Sequence, residues 1–222
     1  YATHRDWLKT ACDSNVGEVT PVTPPNTVTL GPPVIEEPLY GCAERVAVRG
    51  ARQGADVALY VGGELVDTLE FRGLEIEFDL PDPLVAGAEV KATQEFGGAV
   101  SDPHTAKVRD VYDDFSDGIL PTPTISPAPL YACSTAIAVL NLPGVELIIE
   151  KQTSGGSEFF YRKTGVTHTW AGGLGDEFSS GDKLTVWQHL CGANSYGSVE
   201  EVVASPGSMS APAFDPPLLV AG

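Results

Sequence analysis

The letters PLYGC at residues 38–42 return as PLYAC at 129–133, and the match continues on both sides. After the first cysteine, Val46 and Val48 fall on Ile137 and Val139 at a shift of 91. Gly54, Val57 and Leu59 fall on Gly144, Leu147 and Ile149 at a shift of 90. Gly87, Val90, Ala92, Gln94 and Ser101 then meet Gly181, Leu184, Val186, Gln188 and Ser195 at a shift of 94. A drifting register of this kind arises when loops vary in length and strands do not. A period of about 90 residues is too long for a solenoid unit and fits a small autonomous domain.

The ends of the chain carry the same pattern. LKTACDSNVGEVTPV (8–22) resembles QHLCGANSYGSVEEVV (188–203), the tail of a copy, and PAFDPPLL (212–219) resembles PVIEEPLY (33–40), the head of one. The expected organisation is therefore the last strands of one repeat (1–24), a whole domain (33–111), an acidic linker (112–122), a second whole domain (123–204) and the start of another repeat (205–222).

Thirteen Lys plus Arg stand against thirty Asp plus Glu, a formal charge of −17. Such a field repels phosphate backbones and anionic surfaces, which argues against nucleic acid as a partner. No apolar run is long enough to span a membrane in this window, and the first residues lack a signal-peptide layout.

Glycine, proline and alternating apolar residues point to many short strands joined by turns. In the first copy the expected strands are an edge strand near Val34–Ile35, then Arg45–Arg49, a hairpin of Asp56–Val61 and Glu64–Phe71 about Gly62-Gly63, then 74–80, Glu89–Glu95 and Thr105–Val111. Seven sequential strands make a β-sandwich. The fold class read from the sequence is all-β: tandem seven-stranded immunoglobulin-like sandwiches joined by proline-rich or acidic linkers.

The stretch RVAVRGARQGADVALYVGGELV, followed by FDLPDPLVAGAEVKATQEFGGAVSDPHTAKV, resembles bacterial immunoglobulin-like (fibronectin III-like) repeats. The resemblance runs over nearly all of both full copies. The second copy departs from it through the longer, more aromatic TSGGSEFFYRKTGVTHTWAGG. It implies spacer and adhesive modules of secreted or surface-anchored proteins.

Cys42 and Cys133 share one repeat position, and Cys12 and Cys191 share another, while the first full copy has Gly97 where Cys191 stands in the second. Three pairings are open. Cys133 with Cys191 keeps the bond inside one domain, but strands two and six run parallel, so the two positions lie at opposite ends and exceed the roughly 7 Å that a disulfide tolerates. Cys42 with Cys191, or Cys12 with Cys42, would cross between domains. Isolated cysteines without Cys-x-x-Cys or His-x-x-x-His spacing do not form a zinc site. Cysteines at matched positions in an acidic, turn-rich repeat favour an oxidising, extracellular or cell-surface location.

No nucleophile elbow, phosphate loop or dinucleotide fingerprint occurs, and His4, His104, His168 and His189 stand in unrelated settings. The expectation is a chain that is not an enzyme and needs no cofactor. Trp170, Trp187 and Tyr161 are candidates for a ligand surface, with burial in an enlarged core as the alternative. Asp110, Asp113, Asp114 and Asp117 are candidate calcium ligands, with a solvated acidic linker as the alternative. The functional expectation is a structural or interaction module: a stalk, adhesin or fibre component whose partners are neighbouring repeats and other copies. The alternatives are a module that binds a glycan or a partner protein, and an accessory domain of a larger enzyme.

Overall fold

Period-two alternation becomes two packed pairs of sheets in the computed structural model, which describes residues 29–126 and 128–205. The first sandwich contains β1 (Val34–Ile35), β2 (Arg45–Arg49), β3 (Asp56–Val61), β4 (Glu64–Glu70), β5 (Glu75–Asp79), β6 (Glu89–Phe96), β7 (Ala99–Val100) and β8 (His104–Lys107). One of its sheets has the order β1-β2-β5; the other runs β4-β3-β6, with β7 and β8 both paired to β6. Ile35, Val46, Val48 and Phe78 of the first sheet meet Val57, Leu59, Val90 and Ala92 of the second in one buried cluster. The hairpin between β3 and β4 turns through Gly62 and Gly63, both at positive φ, a conformation that glycine adopts without steric penalty.

After β8 come a single helical turn, α1 (Val111–Asp114), and then β9 (Ile119–Leu120). The second sandwich follows with β10 (Thr124–Ser126), β11 (Leu130–Tyr131), β12 (Ile137–Leu140), β13 (Glu146–Thr153), β14 (Gly156–Lys163), β15 (His168–Ala171), β16 (Lys183–Leu190), β17 (Ala193–Ser195) and β18 (Ser198–Val203). Its sheets run β10-β12-β15 and β11-β18-β16-β13-β14. The strand order matches the first sandwich element for element. The parallel bridge Tyr40–Arg109 corresponds to the parallel pairing of β11 with β18.

Two expectations are corrected here. The last strand of the first sandwich ends at Lys107 rather than continuing to Val111, because Val111 opens α1. The segment 112–122 is not a solvated spacer. Val111 and Leu120 are buried in the second core, Phe115 packs against it, and β9 adds in parallel to β17. The first and last segments, 1–24 and almost all of 205–222, lie outside the described residues, as does most of the proline-rich stretch 23–33. Among the described residues no helix is long and apolar enough to cross a membrane.

One buried side chain does the same work in both sandwiches. Gln188, on the inward face of β16, accepts a hydrogen bond from the Leu142 N–H (2.9 Å) and donates to the Pro121 carbonyl (2.6 Å), while its own N–H donates to Ser195 Oγ. Gln94 repeats all three bonds, to the Arg52 N–H, the Gly31 carbonyl and Ser101 Oγ. Each glutamine thus ties the entering chain and the loop after the second strand to the sixth strand. Replacing Gln188 by alanine strips partners from both main-chain groups. A net hydrogen bond contributes about 1 kcal/mol and a stranded buried group costs more. We expect Gln188→Ala to cost about 2–3 kcal/mol, read as a lower urea midpoint for the second sandwich.

Candidate functional site

The corner Tyr40–Gly41–Cys42 first closes its own sandwich. The Gly41 N–H donates to the Arg109 carbonyl (2.9 Å) and the Cys42 N–H to the Leu84 carbonyl (2.7 Å). Cys42 has φ 62°, the left-handed region, which turns the chain sharply outward at the tip of the domain. That turn delivers the thiol to the next domain. Cys42 is bonded to Cys191, with Cα atoms 5.4 Å apart. Of the three pairings open from the sequence, this interdomain one is realised. The bond inside the second sandwich is not, because the Cys133 N–H donates to the Phe178 carbonyl, near the start of β16, whereas Cys191 follows the end of β16. Eight residues of strand separate those ends by roughly 25 Å. Cys133 is unbonded among the described residues and exposed; Cys12, named in the third pairing, lies outside them.

The two sandwiches approach most closely at two glycines of the second. A Cβ on Gly165 would stand 2.7 Å from the Ala47 nitrogen, and one on Gly144 would stand 2.7 Å from the Ala43 Cβ. Two glycines therefore set the separation of the domains. Tyr40 crosses into the second core beside Val111 and Leu120, 2% exposed, with its ring centroid 6.0 Å from that of Phe115. Its hydroxyl donates to Asp114 Oδ2 (2.8 Å), and Arg109 pairs with the other oxygen of the same carboxylate. The rim is polar. Glu77 accepts from the Gly165 N–H, buried Glu36 accepts from Thr167 Oγ1 (2.8 Å) while pairing with Arg49, and Lys163 pairs with Glu44. The bond to Glu44 raises the Lys163 pKa. A cleft of about 280 Å³ opens beside the disulfide, bounded by Glu44, Lys163 and His189.

The four linker carboxylates do not converge as a calcium site. Asp110 caps α1 by accepting from the Tyr112 N–H (2.9 Å), Asp114 holds Tyr40, and Asp117 accepts from the Ile119 N–H (2.9 Å). Among the described residues no three His, Cys, Asp or Glu side chains group as a ligand set. The sequence registered this segment as acidic and missed that its charges shape a docked turn. An Asp followed by a short apolar and aromatic run was the available signal.

The aromatic candidates separate. Trp170, 71% exposed, sits on β15 in the three-stranded sheet, whereas Trp187 and Tyr161 belong to the other sheet. Ile148 of β13 pairs with Tyr161 on one side and Trp187 on the other, so these three form a row on the sheet's outer face. Phe159 and Tyr161 are 53% and 59% exposed. Trp187 is half-buried because Gly197 lies against its indole, where a Cβ would come within 2.7 Å of Nε1. Tyr196, 68% exposed, was not singled out in the sequence.

Burial raises the Tyr40 pKa to about 12, and the hydrogen bond to Asp114 adds to the shift. An acid whose pKa is raised on folding binds its proton more tightly in the folded state. The stabilisation from protonated Tyr40 is thus fully present below its unfolded value of about 10 and is lost as pH rises through about 12. We expect an ultraviolet titration to show one tyrosine ionising late, a step that Tyr40→Phe removes.

No family model matches the chain, and neither does any curated protein. Among solved structures, it is similar to the BSP domain of a biofilm-associated protein, at 15% identity and a TM-score of 0.36, with 81% of this chain and 30% of that chain covered. The chain thus spans under a third of that structure's length. It is also similar to the fibronectin(III)-like modules of Clostridium thermocellum CbhA, at 10% identity and a TM-score of 0.28, covering 78% and 93% of the two chains. A two-domain fibronectin type-III segment of chicken tenascin matches at 12% identity and a TM-score of 0.25, covering 78% and 98%. The assignment of the chain as all-β sandwiches rests on its own sheets.

Proposed function

We propose that this chain is a non-catalytic spacer and interaction segment of an extracellular or cell-surface protein built from tandem sandwiches. The observation that carries the reading is the Cys42–Cys191 bond between the two domains. A disulfide persists in oxidising surroundings, and one that spans a junction serves to fix two domains relative to each other. Interfaces between domains in one chain ordinarily permit relative motion. Here covalent linkage, the close approach at Gly144 and Gly165 and the insertion of Tyr40 all oppose it. The same device stands at the far end of the second sandwich: Tyr131 is 39% exposed where Tyr40 is buried, and Cys133 has φ 71° beside the 62° of Cys42. A further domain docking there would extend the array by the same geometry.

Small-angle X-ray scattering tests the spacer reading. We expect the parent to scatter as one elongated rigid body and Cys42→Ser to broaden the distribution of interdomain distances, with a loss of about 2–4 kcal/mol in stability. Parent scattering that already requires two freely swinging domains would sink the proposal.

The outer row of Tyr161, Ile148 and Trp187 supports a second reading, in which the second sandwich also binds a glycan or a protein on that face. A glycan and polysaccharide screen separates the two surfaces. We expect Tyr161→Ala to abolish any binding there and Trp170→Ala to leave it unchanged. Binding that depends on Trp170 alone would move the site to the opposite sheet.

A further inference from the structure

β14 ends its sheet: among the described residues it pairs with β13 and with no other strand. The hairpin joining them closes on the pair Thr153–Gly156, with two residues between. A pair closing so short a loop exchanges both backbone hydrogen bonds. By alternation, Gly156, Glu158, Phe160 and Arg162 turn their N–H and C=O groups toward β13, while Ser157, Phe159, Tyr161 and Lys163 turn theirs outward. An open row of this kind is a template for another strand unless the sequence guards it.

The corresponding edge of the first sandwich is guarded. β4 carries Glu64, Asp67 and Glu70, so two copies pairing antiparallel about its centre would set Asp67 against Asp67 and Glu64 against Glu70. Like charges directly opposite one another are destabilising. β14 reads GSEFFYRK and has the reverse property. In an antiparallel pairing of two copies centred on Phe160, Glu158 faces Arg162, Phe159 faces Tyr161 and Ser157 faces Lys163. Every one of these pairs is formed twice about the two-fold axis.

Strand parity and charge agree in that one register. Residues with outward backbone groups face each other, so Phe159–Tyr161 becomes a hydrogen-bonded pair and Ser157 meets Lys163, whose carbonyl already accepts from Arg45 Nη1 (3.4 Å). Outer-face side chains of one copy meet outer-face side chains of the other, because paired residues differ by an even number. Opposite charges align. Shifting the register by two residues in either direction keeps the first two conditions and separates Glu158 from Arg162. Beside Tyr161 and Lys163 lies a cleft of about 470 Å³, also bounded by Glu44, Arg45 and Asp79, where the partner's β13–β14 hairpin tip would come.

We infer that β14 is a self-recognition edge through which a second copy of this chain adds in antiparallel register centred on Phe160, joining the two seven-stranded sheets. The joined sheet carries the Phe159 and Tyr161 side chains of both copies on one continuous outer face. The pairing stands apart from the spacer reading, since a chain that stays monomeric remains a rigid two-domain unit.

The test is sedimentation velocity on a Cys12→Ser, Cys133→Ser chain, which excludes disulfide cross-links between copies. It is run from micromolar to sub-millimolar protein at about 0.15 M salt, where a Debye length of about 8 Å screens the −17 charge of each copy. We expect a concentration-dependent dimer. Arg162→Glu, which sets glutamate against glutamate twice, weakens it about tenfold or more, and the exchange Glu158→Arg with Arg162→Glu restores it. Arg162 also donates to the Gly172 carbonyl, so circular dichroism and the melting temperature accompany each variant. Phe159→Pro, which removes an outward N–H and no bond to β13, also abolishes the dimer. A parent that is monomeric throughout overturns the inference, as does a dimer that survives both Arg162→Glu and Phe159→Pro, or a charge exchange that fails to rescue a folded chain.

Discussion

The junction hangs on a backbone turn at Tyr40–Gly41–Cys42 that answers to two domains at once. Its amides are spent on the first sandwich, at Arg109 and Leu84, while its side chains are spent on the second, in the core beside Val111 and on Cys191. Left-handed φ at Cys42 makes this division geometrically feasible, because it aims the thiol away from the strand that follows. The rest of the junction conforms to that corner. Gly144 and Gly165 let the second domain come close enough for the disulfide, and the carboxylates of Glu36 and Glu77 accept the polar groups that the approach would otherwise strand.

Much of the fold was legible because it depends on local pattern. Val46 and Val48, Val57 and Leu59, and Val90 and Ala92 alternate, and each pair is buried as its spacing requires. Gly62-Gly63 marks its hairpin through a backbone conformation that few other residues share. The paired letters Gln94/Gln188 and Ser101/Ser195 were visible as well, but not as a hydrogen-bonding device, since polar residues on a strand give no sign of which way they face until the sheet partners are known. Alternation along β16 turns Trp187 away from the core, between buried Val186 and Gln188. It gave no means of telling that Trp170 belongs to the opposite sheet, because sheet membership is a matter of long-range pairing.

The linker was misread for a related reason. A run with Asp110, Asp113, Asp114 and Asp117 has the composition of a solvated tether, yet three of those carboxylates are bound within or across the junction. Val111 and Leu120, the residues that bury, are few and widely spaced, so their contribution does not register as a periodic signal. The boundary between the domains is thus not a spacer with a domain on either side. Chain that follows the first sandwich completes the core of the second, and excising the second at residue 123 would remove part of its own interior.

The sequence separation across Cys42–Cys191, 149 residues, has a mechanical meaning. When the described chain is drawn from its two ends, the load enters at Cys42, crosses the sulfur bridge and leaves at Cys191. Residues 43–190 lie off that covalent path. Only β1 on one side, and β17 and β18 on the other, are exposed to peeling. About 500 Å of contour length, at some 3.4 Å per residue, is thereby held in reserve. A reductant, rather than force, would release it.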